Sequence, residues 1–141
     1  MKTTLVTVLL TFFACVMAEP DLSAYQEKIE KYLDICQEFL GASDDDIQVV
    51  KNAQNLETAT QQCLQYCISH LQGNQNKLGY NNIQLAIQNY KFITRDRPDL
   101  VENAEANVKE CIAEANAANT TDTCKYAKII QECVRRQSDL L

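Results

Sequence analysis

The stretch Cys63-Leu64-Gln65-Tyr66-Cys67-Ile68-Ser69-His70-Leu71 decides the fold. Cys63, Leu64, Cys67, Ile68 and Leu71 recur at helical spacing and make one face of a helix predicted over about 56–71, which ends in the turn Gly73-Asn74-Gln75-Asn76. Cβ atoms one turn apart on a helix stand about 5 to 6 Å from each other. A disulfide requires about 3.8 Å. Cys63 and Cys67 therefore do not pair with each other, and the helix that carries them is tied to two other parts of the chain.

The residues before this helix show why disulfides are expected. Lys2, the apolar run Leu5 to Val16, and the small residues Val16 and Ala18 form a secretory leader, read as residues 1–18 and removed after Ala18. Its apolar core is too short for a comfortable membrane span. Cys15 leaves with it, and six cysteines remain in one domain over 19–141: Cys36, Cys63, Cys67, Cys111, Cys124 and Cys133. An even count in a secreted chain of this size implies a disulfide framework in an oxidising compartment. Cys124 and Cys133 sit nine residues apart on one predicted helix, about 13 Å along its axis, so they do not join either. Ten of the fifteen pairings stay open.

The 123 residues from Glu19 to Leu141 are enough for one core. They carry 12 basic and 19 acidic side chains, a formal charge of −7 that opposes nucleic acid or anionic membrane as partner. No stretch after the leader is apolar enough to cross a bilayer. Proline and glycine are scarce and apolar residues recur every three or four positions, so the fold class is all-α.

A first helix is predicted from a capping box at Ser23 and Gln26 to Gly41, with Tyr25, Ile29, Tyr32, Leu33, Cys36, Phe39 and Leu40 inward. A second opens at Ser43 with Asp44, Asp45 and Asp46 complementing the helix dipole. A fourth, after Gly79, aligns Ile83, Ala86, Ile87, Tyr90 and Ile93 and ends near Arg95. A fifth starts at Pro98 and aligns Val101, Ala104, Val108, Cys111, Ile112 and Ala115. After the polar segment Asn116 to Thr121, which holds a candidate glycosylation sequon at Asn119, a last helix starts near Asp122. It turns Tyr126, Ala127, Ile130, Cys133 and Val134 inward and leaves 135–141 as a tail.

Three other uses of these residues fit poorly. The Asp44–Asp46 triplet lacks the alternating ligands, turn glycine and distal Glu of a calcium loop. The Cys63–Cys67 pair lacks the compact CxxC knuckle of a zinc site. A small helical hydrolase needs a His-Asp dyad, and His70 is followed by Leu71. Metal, cofactor and catalytic residues are therefore expected to be none.

With one cysteine in the first helix, Cys63-x3-Cys67 in the third, Cys124-x8-Cys133 at the end, Leu78-Gly79 after the third helix and Ala42-Ser43-Asp44-Asp45-Asp46 opening the second, the mature chain resembles an insect odorant-binding protein of the six-cysteine, pheromone-binding or general odorant-binding type. The resemblance implies first-to-third, second-to-fifth and fourth-to-sixth pairing: Cys36 with Cys67, Cys63 with Cys124, Cys111 with Cys133. It implies a compact domain of about six helices around an apolar cavity, and a secreted, extracellular carrier of a small apolar ligand. Its candidate macromolecular partner is a chemoreceptor, and the chain is expected to be a monomer or a weak homodimer. The alternative within the same fold is a salivary or reproductive-tract relative that scavenges small mediators or acts as an interaction protein; an amine scavenger would need a carboxylate in its pocket.

Inward helical positions combined with those the family uses give the candidate ligand-binding residues: Gln65, Ile68 and His70 in the third helix, Ile83 and Ile87 in the fourth, Val108 and Ile112 in the fifth, Ile130 in the sixth. Leu140, with Leu141, is expected to fold back over the pocket. His70, the sole histidine, is the candidate pH switch. Hiding about 300 Å² of apolar ligand surface supplies about 7.5 kcal/mol before association costs, which makes micromolar affinity the ceiling without good hydrogen bonds.

Overall fold

A computed structural model describes residues 22–139; the leader expected at 1–18 and the terminal Leu140 and Leu141 lie outside them. Seven helices and one small hairpin follow in order: α1 Leu22–Leu40, α2 Asp44–Lys51, α3 Ala59–Leu71, β1 Gln75–Asn76, β2 Gly79–Tyr80, α4 Ile83–Ile93, α5 Pro98–Glu102, α6 Ala104–Ala117 and α7 Thr123–Asp139.

α3 is the hub. It packs against α1, α2 and α7, with α6 behind α7 and α4 behind α6. Cys36–Cys67 joins α1 to α3, Cys63–Cys124 joins α3 to α7, and Cys111–Cys133 joins α6 to α7, with Cα separations of 5.9, 4.5 and 5.5 Å. This is the pairing that the resemblance implies, and it sends the two cysteines of α3 to opposite neighbours.

Local chemistry sets the boundaries. Ser43 Oγ accepts from the Asp46 backbone N–H while Asp46 Oδ2 accepts from the Ser43 N–H, a reciprocal cap that absorbs the acidic triplet into the first turn of α2. Thr58 and Gln61 repeat the device for α3. That places the start of α3 at 59, and Leu56 is buried just ahead of it. Asp122 caps α7 by accepting from the N–H groups of Cys124 and Lys125.

Five expectations are corrected. Ser23 lies inside α1, which is already helical at Leu22, and so does not cap it. Phe39 is 83% exposed, because at about 100° per residue it falls roughly 90° round the helix from Leu33, Cys36 and Leu40. The polar turn after α3 is in part a buried hairpin, pairing Gln75 with Tyr80 and Asn76 with Gly79. The predicted fifth helix is two: the Asn103 side chain donates from Nδ2 to the Asp99 carbonyl at 2.9 Å, taking the acceptor that a continuous helix would use. Finally, α7 does not stop before Arg135 but continues to Asp139.

Candidate functional site

Most of the buried apolar residues fall into two separate clusters. One joins α1 to α3 through Leu33, Cys36, Leu64 and Ile68, with Ile29, Ile47 and Val50 against it. The other belongs to α4 through α7 and includes Ala86, Tyr90, Val108, Ile112 and Ile130. A domain of this size ordinarily closes one contiguous core. Between these two halves lies a cavity of about 550 Å³, lined from one side by Ile29, Leu33, Val50 and Ile68 and from the other by Ala86, Tyr90, Val108, Ile112 and Ile130. Its size is that of a small-molecule site.

Polar groups in the wall are mostly bonded to one another. Asn89 Nδ2 donates to Asn74 Oδ1 at 3.3 Å, Asn74 Nδ2 to Gln72 Oε1 at 3.5 Å, and Gln72 Nε2 to Tyr25 Oη at 3.5 Å. Gln65 Nε2 donates to Ser69 Oγ at 3.5 Å. Tyr90 Oη accepts from Asn107 Nδ2 and donates to Gln137 Oε1, each at 3.1 Å. Satisfied in this way, the buried amides and hydroxyls add little penalty to an otherwise apolar wall.

Burial holds the wall's phenols protonated. Tyr80 is pushed up to about 12 by burial, a hydrogen bond to Ser69 only partly offsetting it. Its ring keeps some accessible surface because it faces the cavity, while its hydroxyl stays remote from bulk water. Burial also raises Tyr25, against the hydrogen bond from Gln72 and the charge of Arg95, and Tyr90, against its bond from Asn107. Among the described residues the wall contains no histidine, aspartate or glutamate.

Of the residues singled out from sequence, Gln65, Ile68, Val108, Ile112 and Ile130 line this cavity. His70, Ile83 and Ile87 do not. His70 is exposed at the end of α3, its Nδ1 3.0 Å from the Gln75 carbonyl. Ile83 opens α4 with its side chain exposed, and Ile87 packs into the α4–α7 cluster behind the wall. Leu140 lies outside the described residues. The sequence reading missed the phenols of Tyr25, Tyr80 and Tyr90 as wall groups, although Tyr25 and Tyr90 stood on inward stripes. It also missed the rim, where Lys51, Asn52 and Ala53 meet Arg135 and Ser138 of α7. A seven-residue tail in place of helix hid that side of the opening.

The model of the PBP/GOBP family, the pheromone-binding and general odorant-binding proteins, matches residues 18–137. The chain belongs to this family. Two solved structures share its fold. An odorant-binding protein of Drosophila melanogaster superposes with a TM-score of 0.70 at 24% identity, covering 86% of this chain and 100% of that one. A pheromone-binding protein of the cockroach Leucophaea maderae, in complex with the fluorescent reporter 1-anilinonaphthalene-8-sulfonic acid, superposes with a TM-score of 0.65 at 23% identity, covering 84% and 98%. Comparison with curated protein sequences finds no match. No helix among the described residues of this family member is long and apolar enough to cross a membrane.

Proposed function

We propose that this PBP/GOBP family member is a secreted carrier that takes small hydrophobic ligands, such as odorants, pheromones or lipid-like semiochemicals, into its internal cavity and moves them through extracellular fluid. The observation that carries the reading is the split core: two apolar clusters leave about 550 Å³ between them and line it with aliphatic and phenolic side chains. A folded chain loses dispersion contacts around such a void, and a fitted apolar guest restores them while burying its own surface. The aromatic reporter held by the cockroach relative supports a cargo of this kind.

Gln65, Ile68, Val108, Ile112 and Ile130 are the proposed contacts, joined by Tyr80 and Tyr90. The carrier reading also includes removal of residues 1–18, a monomer or weak homodimer, and delivery to a chemoreceptor. The sequon at Asn119 sits in an exposed turn after α6, with φ +50, and is proposed as accessible to glycosylation. An amine cargo is disfavoured, because among the described residues the wall offers no carboxylate to an ammonium group.

The oxidised protein should bind a fluorescent apolar probe at micromolar level and release it to medium-chain alcohols or esters. No displacement across a broad panel would sink the carrier reading. Ile112→Trp should fill the cavity and weaken the probe while helical circular dichroism is retained; an unchanged affinity removes Ile112 from the site.

A further inference from the structure

The cavity rim has a sign that the protein as a whole does not. The chain is acidic, yet among the described residues the charged side chains lining the cavity are Lys51 and Arg135, both cations. Lys51 is paired with Glu30. Arg135 donates to the neutral amide oxygen of Asn55, and among the described side chains no carboxylate meets its guanidinium. Both sit on the side of the opening where α2 ends and the last turns of α7 begin, together with Asn52, while the aliphatic wall lies deeper.

Resting on the carrier reading, we infer that the cargo is an acid-terminated aliphatic molecule whose carboxylate stays at the rim beside Arg135 and Lys51 while its chain fills the apolar interior. A carboxylate carried into the deep wall would lose its hydration without a partner. At the rim it keeps water on one side and gains a planar, permanently charged fork on the other, a geometry that guanidinium matches and an ester or ketone uses less well. Repulsion from the protein's acidic surface is screened beyond about 8 Å at physiological salt, so the nearest charges decide. Glu30 offsets Lys51, which leaves Arg135 as the main attractor.

Three ligands of equal chain length separate the possibilities: decanoate, methyl decanoate and decan-1-ol, each displacing the neutral probe N-phenyl-1-naphthylamine from the oxidised protein near pH 7, where a free carboxyl is ionised. Decanoate should bind roughly fivefold or more tighter than its methyl ester, a preference that shrinks as salt rises from about 0.05 to about 0.5 M. Arg135→Gln keeps a donor for Asn55 but removes the charge, and should bring the acid-to-ester ratio close to one, with Lys51→Gln lowering it less. If alcohol and ester displace the probe and decanoate is no better than either, the acid preference is wrong while the carrier stands. A ratio unmoved by both substitutions, or one insensitive to salt, overturns it equally. Should none of the three displace the probe, the carrier reading fails and takes the inference with it.

Discussion

The backbone of Gly79 runs against the ring of Tyr126 so closely that a Cβ at residue 79 would stand 3.0 Å from both Cζ and Oη of that ring. The contact joins the hairpin to α7, and Tyr126 Oη in turn donates to Asn116 Oδ1 at 2.8 Å, fastening the end of α6 to the same point. Gly79 also has φ +113, a region open to glycine and costly for other residues. Gly79→Ala therefore combines strain with a clash against a buried ring and should cost about 2 to 4 kcal/mol. Gly41→Ala is the control: φ is +63 but nothing lies within 4 Å of the added Cβ, so strain alone should cost about 1 to 2 kcal/mol. Urea denaturation of the oxidised proteins measures both, and equal losses would show that the Tyr126 contact yields freely.

Cys63–Cys124 closes the longest loop of the three disulfides, with a sequence separation of 61, and connects the hub helix α3 to α7. Restricting an unfolded loop of that length is worth about 4 kcal/mol. Cys63→Ala with Cys124→Ala should lower stability by about that amount and weaken probe binding at temperatures where the variant stays folded, since α3 and α7 both contribute wall. A double variant as stable as the parent would mean that the unfolded chain is already compact enough without this bridge for the loop restriction to add nothing.

Why one half of the cavity was legible and the other was not is visible in particular residues. Ile68, Val108, Ile112 and Ile130 stand on stripes that repeat every three or four residues, and any helix that buries such a stripe must point it at the interior. Ile83 belongs to the same pattern in α4 and is nevertheless exposed at the first position of that helix. Asn74 and Asn89 carry no local sign of burial. Their reason for being inside is each other, a hydrogen bond across fifteen residues that appears only once α4 folds back beside the hairpin. The α5–α6 break depends on one Asn side chain choosing its i−4 carbonyl, a competition that leaves no periodic trace. Two-residue strands likewise have no alternation to detect. The rim was lost for a different reason: Arg135 and Ser138 lie on a polar continuation of α7 whose helicity is held by side-chain contacts with distant Asn55 and Arg97.

The four phenols with raised pKa, Tyr25, Tyr80, Tyr90 and Tyr126, couple stability to alkaline pH. Each favours the protonated form in the folded state because burial opposes the phenolate. In the unfolded chain they lose protons near the ordinary value of about 10. Their contribution is therefore intact below about pH 10 and is lost as pH rises through the folded values, about 12 for Tyr80. Urea midpoints should fall steadily above about pH 10, and Tyr80→Phe should flatten that fall. A midpoint slope identical in the variant would show that Tyr80 ionises freely in the folded protein.

Gln131 ties the turn at the cavity rim to α7 by donating from Nε2 to the Gln54 carbonyl at 3.0 Å, while its Oε1 is buried and accepts from no group among the described residues. The turn includes Ala53 at φ +51, a left-handed position for a residue with a side chain. It is thus a constrained segment held by Gln131 and by Arg135. Gln131→Met keeps the length of the side chain and removes both amide atoms. The exposed Gln54 carbonyl then turns to water, and the cost of the orphaned oxygen, about 1 to 3 kcal/mol for a buried acceptor, disappears with it. Stability should stay level or rise by about 1 kcal/mol. The turn, however, loses one of its two ties to α7, so a bound apolar probe should leave faster in stopped-flow dilution by a few-fold with little change in the urea midpoint. A variant destabilised by more than about 2 kcal/mol would reveal a donor to Oε1 that the turn conceals. An unchanged off-rate would place the ligand's exit elsewhere along the cavity.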